Sequence, residues 1–331
     1  MNPASPTLDE CSPLFRASSQ PLRQGQYKTV SPLHVIFSPV KFYGNTSSPG
    51  DNSISTQITS PTSAGVANAV SPILNISFYA PAESPCTTPT HALIESKTPN
   101  RKMRLQAEYE ISIIQRCNAA RIPGVPPVQC ATIPDKSDST AVLMPWYKHK
   151  LEDQFNKKTP TELKEIFRQI CLTVSEVHKI DIAHFDIKPQ NIVLDKNDQP
   201  FLIDFGCAIE VDPLTGNPQE DSYEINLGTT TQTYSPPKEY DLFPKARDVF
   251  SLGLTMFEVS TGGKTIPGEL IGKIFENFHH YIMSANDKDI IDTIDANISD
   301  PDLKNLLNGM MLLDQKQRFT MQQVIEHPYF Q

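Results

Sequence analysis

The sequence predicts a mixed α+β protein with two folded units, a small β-rich one followed by a larger helical one. Residues 1–70 are rich in Ser, Pro and Thr and offer few apolar side chains for burial. Strand-like apolar runs begin after residue 70, and apolar residues recur at helical spacing through much of the chain beyond residue 160. We therefore predict a flexible, disordered-like segment at 1–70, a β-rich unit at 71–145 and a helical unit at 146–331.

The small unit contains three strand signals and one helix signal. Apolar, β-branched and aromatic residues predict strands at 73–79, 91–94 and 141–144. Residues 104–117 show helical spacing and predict an amphipathic helix. The residues that we expect on its apolar face are Leu105, Tyr109, Ile113 and Ile114.

The large unit begins with a clearly marked helix. Thr161 is a candidate N-cap for a helix over 162–179, and Glu162 suits its first turn. The expected apolar face comprises Leu163, Ile166, Phe167, Ile170, Val174 and Val177. Further helical patterns occur at 246–260, 268–283 and 302–313.

Composition argues against two classes of partner. The first hundred residues contain 13 of the 29 prolines and 26 serines and threonines, but only 5 acidic and 5 basic residues. The net charge of −9 therefore lies entirely after residue 100. Because nucleic acids and anionic membranes are bound largely through Lys and Arg, this acidic body argues against both as main partners. The many Ser/Thr-Pro pairs before residue 100 fit either a regulatory tail or the ordinary composition of disordered segments.

The cysteines and the hydropathy pattern indicate a cellular compartment. Six cysteines stand at irregular spacings without a C-x-x-C pair, which argues against a zinc site or a dense disulfide framework. No stretch reaches about 18 consecutive apolar residues, so we expect no membrane span. We expect a cytoplasmic protein, with the nucleus as the alternative location.

The residues that suggest chemistry lie between positions 181 and 206. Asp186, Lys188 and Asn191 fall within six residues, and Asp204 follows 18 positions after Asp186. Two apolar triplets between Asn191 and Asp204 can pair as a hairpin, which would bring these two residues together at one end. Carboxylate and amide oxygens are the ligands that Mg2+ prefers. With an aspartate to accept a hydroxyl proton and a lysine to steady a phosphoryl group, the pattern indicates a phosphotransferase site.

The same segment resembles the catalytic loop and metal-binding turn of the eukaryotic-type Ser/Thr protein kinases. Residues 184–191, HFDIKPQN, are similar to the family's H-R-D-L-K-P-x-N, and residues 204–206 are similar to its D-F-G. Later motifs extend the resemblance over about 145–331, at residues 234–239, 248–253, 313–320 and 327–330. The resemblance implies a bilobal protein-kinase-like fold with a small β-rich N-lobe and a larger helical C-lobe.

The resemblance also implies roles for individual residues. Asp186 would orient the hydroxyl of a protein substrate, and Lys188 would contact the transferred phosphate. Asn191 and Asp204 would hold Mg2+, with Mn2+ as an alternative, beside ATP. His184 would be mainly architectural. Two residues distant from this loop, Arg318 and Glu239, would form an ion pair.

The small lobe departs from the family pattern. Glu110 fits the helix glutamate that normally pairs with a strand lysine, but two placements remain open for that lysine. In the first it is Lys97, after a shift in register. In the second it is Lys41, with residues 23–30 as a degraded phosphate loop. No glycine occurs through 71–90, so under the first placement a usual glycine-rich phosphate loop is missing.

Phe185 is the second departure, because the family has an arginine there that an activation-loop phosphate neutralises. We expect an active Ser/Thr kinase that does not require activation-loop phosphorylation. The alternative is a pseudokinase that acts as a binding or allosteric scaffold. A small-molecule kinase is a third class, which Lys188 and the motif at 248–253 disfavour. The altered small lobe and the N-terminal segment also leave room for a regulatory protein partner.

Overall fold

The computed structural model describes residues 27–29, 56–58, 73–81, 91–97, 101–131, 139–147, 149–219, 234–236, 243–264 and 286–331. The chain divides into two compact units. One comprises Met1–Ala119 and Pro126–Trp146, and the other comprises Ala120–Val125 and Tyr147–Gln331. Strands and helices occur in both, and the predicted α+β class is confirmed.

The small unit is built on an antiparallel sheet of six strands. Its strands are β1 (Tyr27–Thr29), β2 (Thr56–Ile58), β3 (Ile73–Pro81), β4 (His91–Lys97), β5 (Gln129–Ala131) and β6 (Ser139–Pro145). They pair in the order β1-β3-β4-β6-β5, and β2 also pairs with β3. Strands β3, β4 and β6 contain the three predicted ones, whereas β1 and β2 come from residues 1–70, where we predicted none. Lys97 is the last residue of β4 and lies opposite Ile73 and Ser139.

The helix of the small unit, α1 (Arg101–Ala119), buries a stripe that includes the predicted Ile113 but not the predicted Leu105. Ile113 and Cys117 are fully buried, and Ile111 is 8% exposed, while Leu105 is 45% exposed. The expectation that Leu105 lies on the buried face is therefore wrong. Apolar residues occupy more than one side of this helix, so periodicity alone did not select the buried stripe.

The large unit starts with short strand β7 (His149–Lys150) and helix α2 (Pro160–Lys179). The helix begins two residues earlier than predicted, because Thr159 and not Thr161 is the N-cap. The Thr159 side chain accepts a hydrogen bond from the Glu162 amide, and the Glu162 carboxylate accepts one from the Thr159 amide. Pro160 suits the first helical position, since its missing N–H would have no intrahelical partner.

The remaining elements place a buried helix at the centre of the large unit. The strands are β8 (Ile182–Ala183), β9 (Ile192–Leu194), β10 (Pro200–Leu202) and β11 (Ile209–Glu210). The helices are α3 (Pro244–Ser260), α4 (Asp287–Asn297), α5 (Pro301–Met310) and α6 (Met321–Ile325). Every residue of α3 from Arg247 to Val259 is buried, which is typical of a helix enclosed by its neighbours. The helix predicted at 268–283 lies outside the described residues.

Arg318 lies beside α3, where its guanidinium donates hydrogen bonds to the carbonyl oxygens of Leu312, Ala246 and Leu313. Its expected partner, Glu239, lies outside the described residues, so that pairing stays a prediction. Among the described helices, none combines the length and apolar character that crossing a membrane demands.

A loop from residue 120 to residue 125 belongs to the large unit although it follows α1 directly. The Gly124 carbonyl accepts a hydrogen bond of 2.7 Å from the Leu202 amide, and the Pro123 carbonyl accepts one of 2.8 Å from Thr173 Oγ1. Gly124 has a φ of +80°, and a Cβ added there would lie 2.1 Å from Thr173 Oγ1. Only glycine fits this conformation and this close approach.

We expect Gly309→Ala to destabilise the large unit, although alanine favours helices. A Cβ at position 309 would lie 2.1 Å from Cε2 of Phe319. Relief of this overlap requires a shift of the ring or the helix, which costs about 1–3 kcal/mol in the free energy of unfolding. Urea unfolding measures the change. Gly253→Ala is the comparison variant and should lose less stability, because its Cβ would lie 2.9 Å from Met311 Cγ and 3.0 Å from Met310 Cβ, which is a smaller overlap than at Gly309. Equal stability of the Gly309→Ala and wild-type proteins would contradict the prediction.

Candidate active site

A short hairpin brings the two ends of the chemical segment together. Strands β9 and β10 pair antiparallel, with Ile192 opposite Leu202. Beyond this pair the Ile203 amide donates a hydrogen bond of 3.0 Å to the Asn191 carbonyl. The residue that follows Ile203 is Asp204, so Asn191 and Asp204 lie at the same end of the hairpin.

Asp186, Lys188 and Asn191 form one buried cluster. Asp186 Oδ2 accepts a hydrogen bond of 2.6 Å from Lys188 Nζ and one of 3.1 Å from Asn191 Nδ2. Asp186 is 6% exposed and Lys188 is 5% exposed. Removal of either charge would break an ion pair in a poorly solvated place. The structure therefore brings together the residues predicted to act on the hydroxyl and the phosphate.

The backbone before Asp186 is fixed by a buried carboxylate on α3. Asp248 is fully buried and accepts hydrogen bonds from the amides of His184 and Phe185, at 2.7 and 2.8 Å. It also accepts one of 2.9 Å from Nε2 of His178. These donors hold Phe185 at a φ of +67°, a left-handed conformation that costs a residue with a side chain on the order of 1–3 kcal/mol.

His184 ties the loop to the residue before Asp204. Its Nε2 donates a hydrogen bond of 3.0 Å to the Ile203 carbonyl, and its Nδ1 accepts one of 3.3 Å from the Asp186 amide. The ring also packs edge-on against Phe205, with centroids 4.7 Å apart. Both ring nitrogens are therefore used for structure, which fits the architectural role that the resemblance implied.

The donor set at the hairpin end fits a divalent cation. Asn191 is fully buried, and no donor in the described part of the chain reaches its Oδ1. Burial, reinforced by the negative charge of Asp186, raises the pKa of Asp204 above its ordinary value. A cation between these oxygens would satisfy the first atom and favour the ionised form of the second.

The number of protein ligands also fits Mg2+. The described residues contain no group of three or more His, Cys, Asp and Glu side chains that could hold a metal. Mg2+ is usually bound by one or two protein groups, with water and substrate phosphates as its other ligands. Asn191 and Asp204 would supply two protein ligands to such a site.

Of the residues predicted to anchor phosphates in the small unit, the structure describes the side chain of Glu110 but not those of the candidate lysines. Glu110 lies in the middle of α1 and is half-buried. Lys97 ends β4, and its side chain lies outside the described residues, as does the whole of Lys41. The choice between these two lysines and the pairing with Glu110 stay predictions.

Sequence reasoning missed a buried pair formed by Tyr234 and Glu258. The Tyr234 hydroxyl donates a hydrogen bond of 2.6 Å to Glu258 Oε2, and Glu258 is 1% exposed. Burial raises the pKa of Glu258 to about 7, although the hydrogen bond from Tyr234 opposes this shift. The signal in the sequence is an acidic residue, Glu258, at an apolar position of a predicted helix. Its partner Tyr234 is 24 positions away, so the pair could not be identified from local sequence.

Sequence reasoning also missed Arg247, at the first turn of α3. Its guanidinium carbon lies 3.8 Å from the centroid of the Phe185 ring, and its Nη2 donates a hydrogen bond of 2.6 Å to Ser235 Oγ. Arg247 is 5% exposed. This side chain therefore touches the residue before Asp186 and a residue near the end of the Asp204–Glu239 segment.

This chain resembles one known protein family and several curated proteins. A family model described as "Protein kinase domain" matches residues 91–330. The chain is 28% identical, over 52% of its length, to 15% of the probable serine/threonine-protein kinase MARK-A of Dictyostelium discoideum. It is 28% identical, over 54% of its length, to 29% of a serine/threonine-protein kinase stk11 homolog of the same organism. It is 29% identical, over 50% of its length, to 35% of the serine/threonine-protein kinase STK11 of Gallus gallus. The chain thus spans about a third or less of the length of these curated relatives.

We expect Glu258 to make the stability of the protein fall as the pH rises from about 4.5 to about 7. In this window the folded protein holds a proton on Glu258 that the unfolded chain releases, so a rising pH favours unfolding. A shift from 4.5 to about 7 corresponds to on the order of 3 kcal/mol. Urea unfolding at pH 4.5, 6 and 7.5 should show a steeper fall for the wild type than for Glu258→Gln.

The matched control is Glu176→Gln, since Glu176 lies on the surface of α2 and pairs with Lys179. This variant should keep the pH dependence of the wild type, because other titrating groups are unchanged. Identical slopes for the wild type and Glu258→Gln would contradict the assignment of a raised pKa to Glu258.

Proposed function

Because this chain belongs to the protein kinase domain family, we propose that it transfers the γ-phosphoryl group of ATP to serine or threonine hydroxyls of proteins. The observation that carries the proposal is the buried cluster of Asp186, Lys188 and Asn191 beside Asp204. In this cluster Asp186 is a proton acceptor and Lys188 is a cation, and the side-chain oxygen of Asn191 accepts no hydrogen bond from the described residues. The three relatives named above are each called a serine/threonine-protein kinase, which supports the choice of hydroxyl.

Each residue of the cluster has a distinct task in the proposed reaction. The substrate oxygen forms a bond to the γ-phosphorus while the bond to the bridging oxygen of ADP breaks. Asp186 orients the hydroxyl and receives its proton, and Lys188 stabilises the negative charge on the moving phosphoryl group. Asn191 and Asp204 would hold Mg2+, with Mn2+ as the alternative, and the cation would neutralise phosphate charge. Most of the rate gain then comes from positioning and charge neutralisation.

A pseudokinase is the second candidate function, and the sequence of the small unit favours it. No glycine occurs through 71–90, so backbone amides cannot approach phosphates there as they do in a glycine-rich loop. Such a protein would keep the cluster around Asp186 and bind partners without transfer of phosphate. A regulatory protein that binds the N-terminal segment or the small unit belongs with either function. We also retain the cytoplasm as the proposed location, with the nucleus as the alternative.

We expect purified protein to incorporate labelled phosphate into itself or a generic protein substrate, and Asp186→Asn and Asp204→Asn to lose this activity. Loss of a positioned proton acceptor lowers a rate by about 100-fold or more. Chelation of divalent metal with EDTA should abolish transfer, and added Mg2+ or Mn2+ should restore it.

The matched control for these variants is Asp198→Asn. Asp198 is a half-exposed residue of the β9–β10 turn that pairs with Lys158, at the end of the hairpin opposite to Asn191 and Asp204. Transfer by this variant should equal that of the wild type. No transfer by the wild type, together with retained binding of ATP or a protein partner, would favour the pseudokinase. Equal label in the wild type and Asp204→Asn would identify a contaminating kinase and contradict the proposal.

We further propose that activity does not depend on phosphorylation of the activation loop, because Phe185 carries no charge for a phosphate to neutralise. Replacement of Thr229, Thr230 and Thr233 by alanine tests this, although these residues lie outside the described part of the chain. Thr231 is left unchanged as a candidate for shaping the substrate groove. Phosphate transfer by the triple variant, and by phosphatase-treated wild type, should stay within about twofold of the untreated protein, since no charge pair is lost. A collapse of transfer in the triple variant would contradict the proposal.

A further inference from the structure

Arg247 makes two contacts that join separate parts of the site. Its guanidinium carbon lies over the Phe185 ring, 3.8 Å from the ring centroid, and its Nη2 donates a hydrogen bond of 2.6 Å to Ser235 Oγ. A guanidinium can stack on a ring and donate hydrogen bonds from its edge at the same time. A lysine ammonium in the same place can keep the charge but cannot provide both contacts.

The contact on Phe185 acts on the residue directly before Asp186. Phe185 has a left-handed φ of +67°, which a residue with a side chain keeps only when its surroundings enforce it. Two neighbouring residues of α3 enforce it. Asp248 accepts the hydrogen bond from the Phe185 amide at 2.8 Å, and Arg247 covers the Phe185 ring. The backbone and the side chain of Phe185 are therefore both held by one buried helix.

The other contact acts on residues 234–236, which α3 also holds at two further points. Ser251 Oγ donates a hydrogen bond of 2.7 Å to the Tyr234 carbonyl, and the Tyr234 hydroxyl donates to Glu258. With the bond from Arg247 to Ser235, three side chains of α3 fix this stretch. Tyr234, Ser235 and Ser251 are all buried, so these bonds are shielded from water.

The arrangement reverses the charge distribution that the resemblance led us to expect. In the family pattern, an arginine would stand at position 185 of the catalytic loop and would need a phosphate as its counter-charge. Here the loop carries the neutral ring of Phe185, and the guanidinium comes from α3. A cation on an aromatic face is attractive without any phosphate.

We propose that Arg247 is a positioning residue that holds the catalytic loop through Phe185 and the 234–236 stretch through Ser235, so that Asp186 is oriented without a phosphate. This inference rests on the proposed function as a kinase and deepens it. It gives the independence from phosphorylation a physical origin in two contacts that the polypeptide itself supplies.

The test uses the full chain with Arg247→Lys, Phe185→Leu, Phe185→Tyr and the double variant Arg247→Lys/Phe185→Leu. We expect Arg247→Lys and Phe185→Leu each to lower kcat by about 10- to 100-fold through misplacement of Asp186, with the KM for ATP changed less than about twofold. The kcat of the double variant should be no more than about twofold below that of the poorer single variant, because both substitutions remove the same contact between Arg247 and Phe185. Phe185→Tyr keeps the aromatic face and should rescue most of the kcat lost in Phe185→Leu.

Arg168→Lys is the matched control, since Arg168 lies exposed on α2 and pairs only locally with Glu165. Its kcat should equal that of the wild type. Thermal unfolding of every variant separates lost positioning from lost folding. If Arg247→Lys does not fold, the comparison of Phe185→Leu with Phe185→Tyr decides the question alone. Wild-type kcat in Arg247→Lys, additive losses in the double variant, or equal losses in Phe185→Leu and Phe185→Tyr would each overturn the inference.

Amide hydrogen exchange keeps this inference separate from the proposed function. Peptides covering residues 182–191 should exchange faster in Arg247→Lys than in Arg168→Lys, because the loop loses its side-chain hold. This readout needs no phosphate transfer. An inactive wild type whose loop exchanges faster in Arg247→Lys would refute the kinase activity and leave the positioning role standing. Unchanged exchange in this loop would overturn the positioning role even in an active enzyme.

Discussion

The fully buried carboxylate of Asp248 is the interaction on which the catalytic loop depends. It accepts hydrogen bonds from His178 and from two consecutive amides of the loop, those of His184 and Phe185. A buried carboxylate is tolerated only when such donors replace its water. The donors therefore stabilise the charge, and the charge in turn fixes a strained backbone immediately before Asp186. Because α3 is enclosed on all sides, this anchor belongs to the rigid part of the large unit.

A second constraint is the balance of charge around Asp186. Lys188 forms an ion pair with Asp186. The carboxylate of Asp204 lies close enough for both charges to shift its pKa. The negative charge of Asp186 and burial together disfavour an ionised Asp204. The same burial leaves Asn191 Oδ1 without a donor among the described residues. The protein thus tolerates two unfavourable features at one place, and a bound cation of the kind that we propose there would relieve both.

The sequence allowed the hairpin and the loop to be predicted because both are local. Asn191 and Asp204 are joined by two short apolar strands, so their proximity follows from pairing of neighbours in the chain. Contacts made by α3 could not be predicted in this way, since Asp248 lies 63 positions from Phe185 and Glu258 lies 24 from Tyr234. The predicted face of α1 is right for Ile113 and wrong for Leu105, because a helix with apolar residues on several sides does not reveal which side is covered. The N-cap of α2 is Thr159 and not the predicted Thr161, because Pro160 occupies the first helical position.

The loop at 120–125 means that the boundary between the two units is crossed three times by the chain. Pro123 and Gly124 supply carbonyl acceptors to Thr173 and Leu202, deep in the large unit, yet they are covalently continuous with α1 on one side and with β5 on the other. A fragment that starts at residue 147 would therefore remove the acceptor of the buried Leu202 amide and leave the Thr173 hydroxyl with the Gln169 carbonyl as its acceptor. The units are compact, but a single cut in the chain cannot separate them.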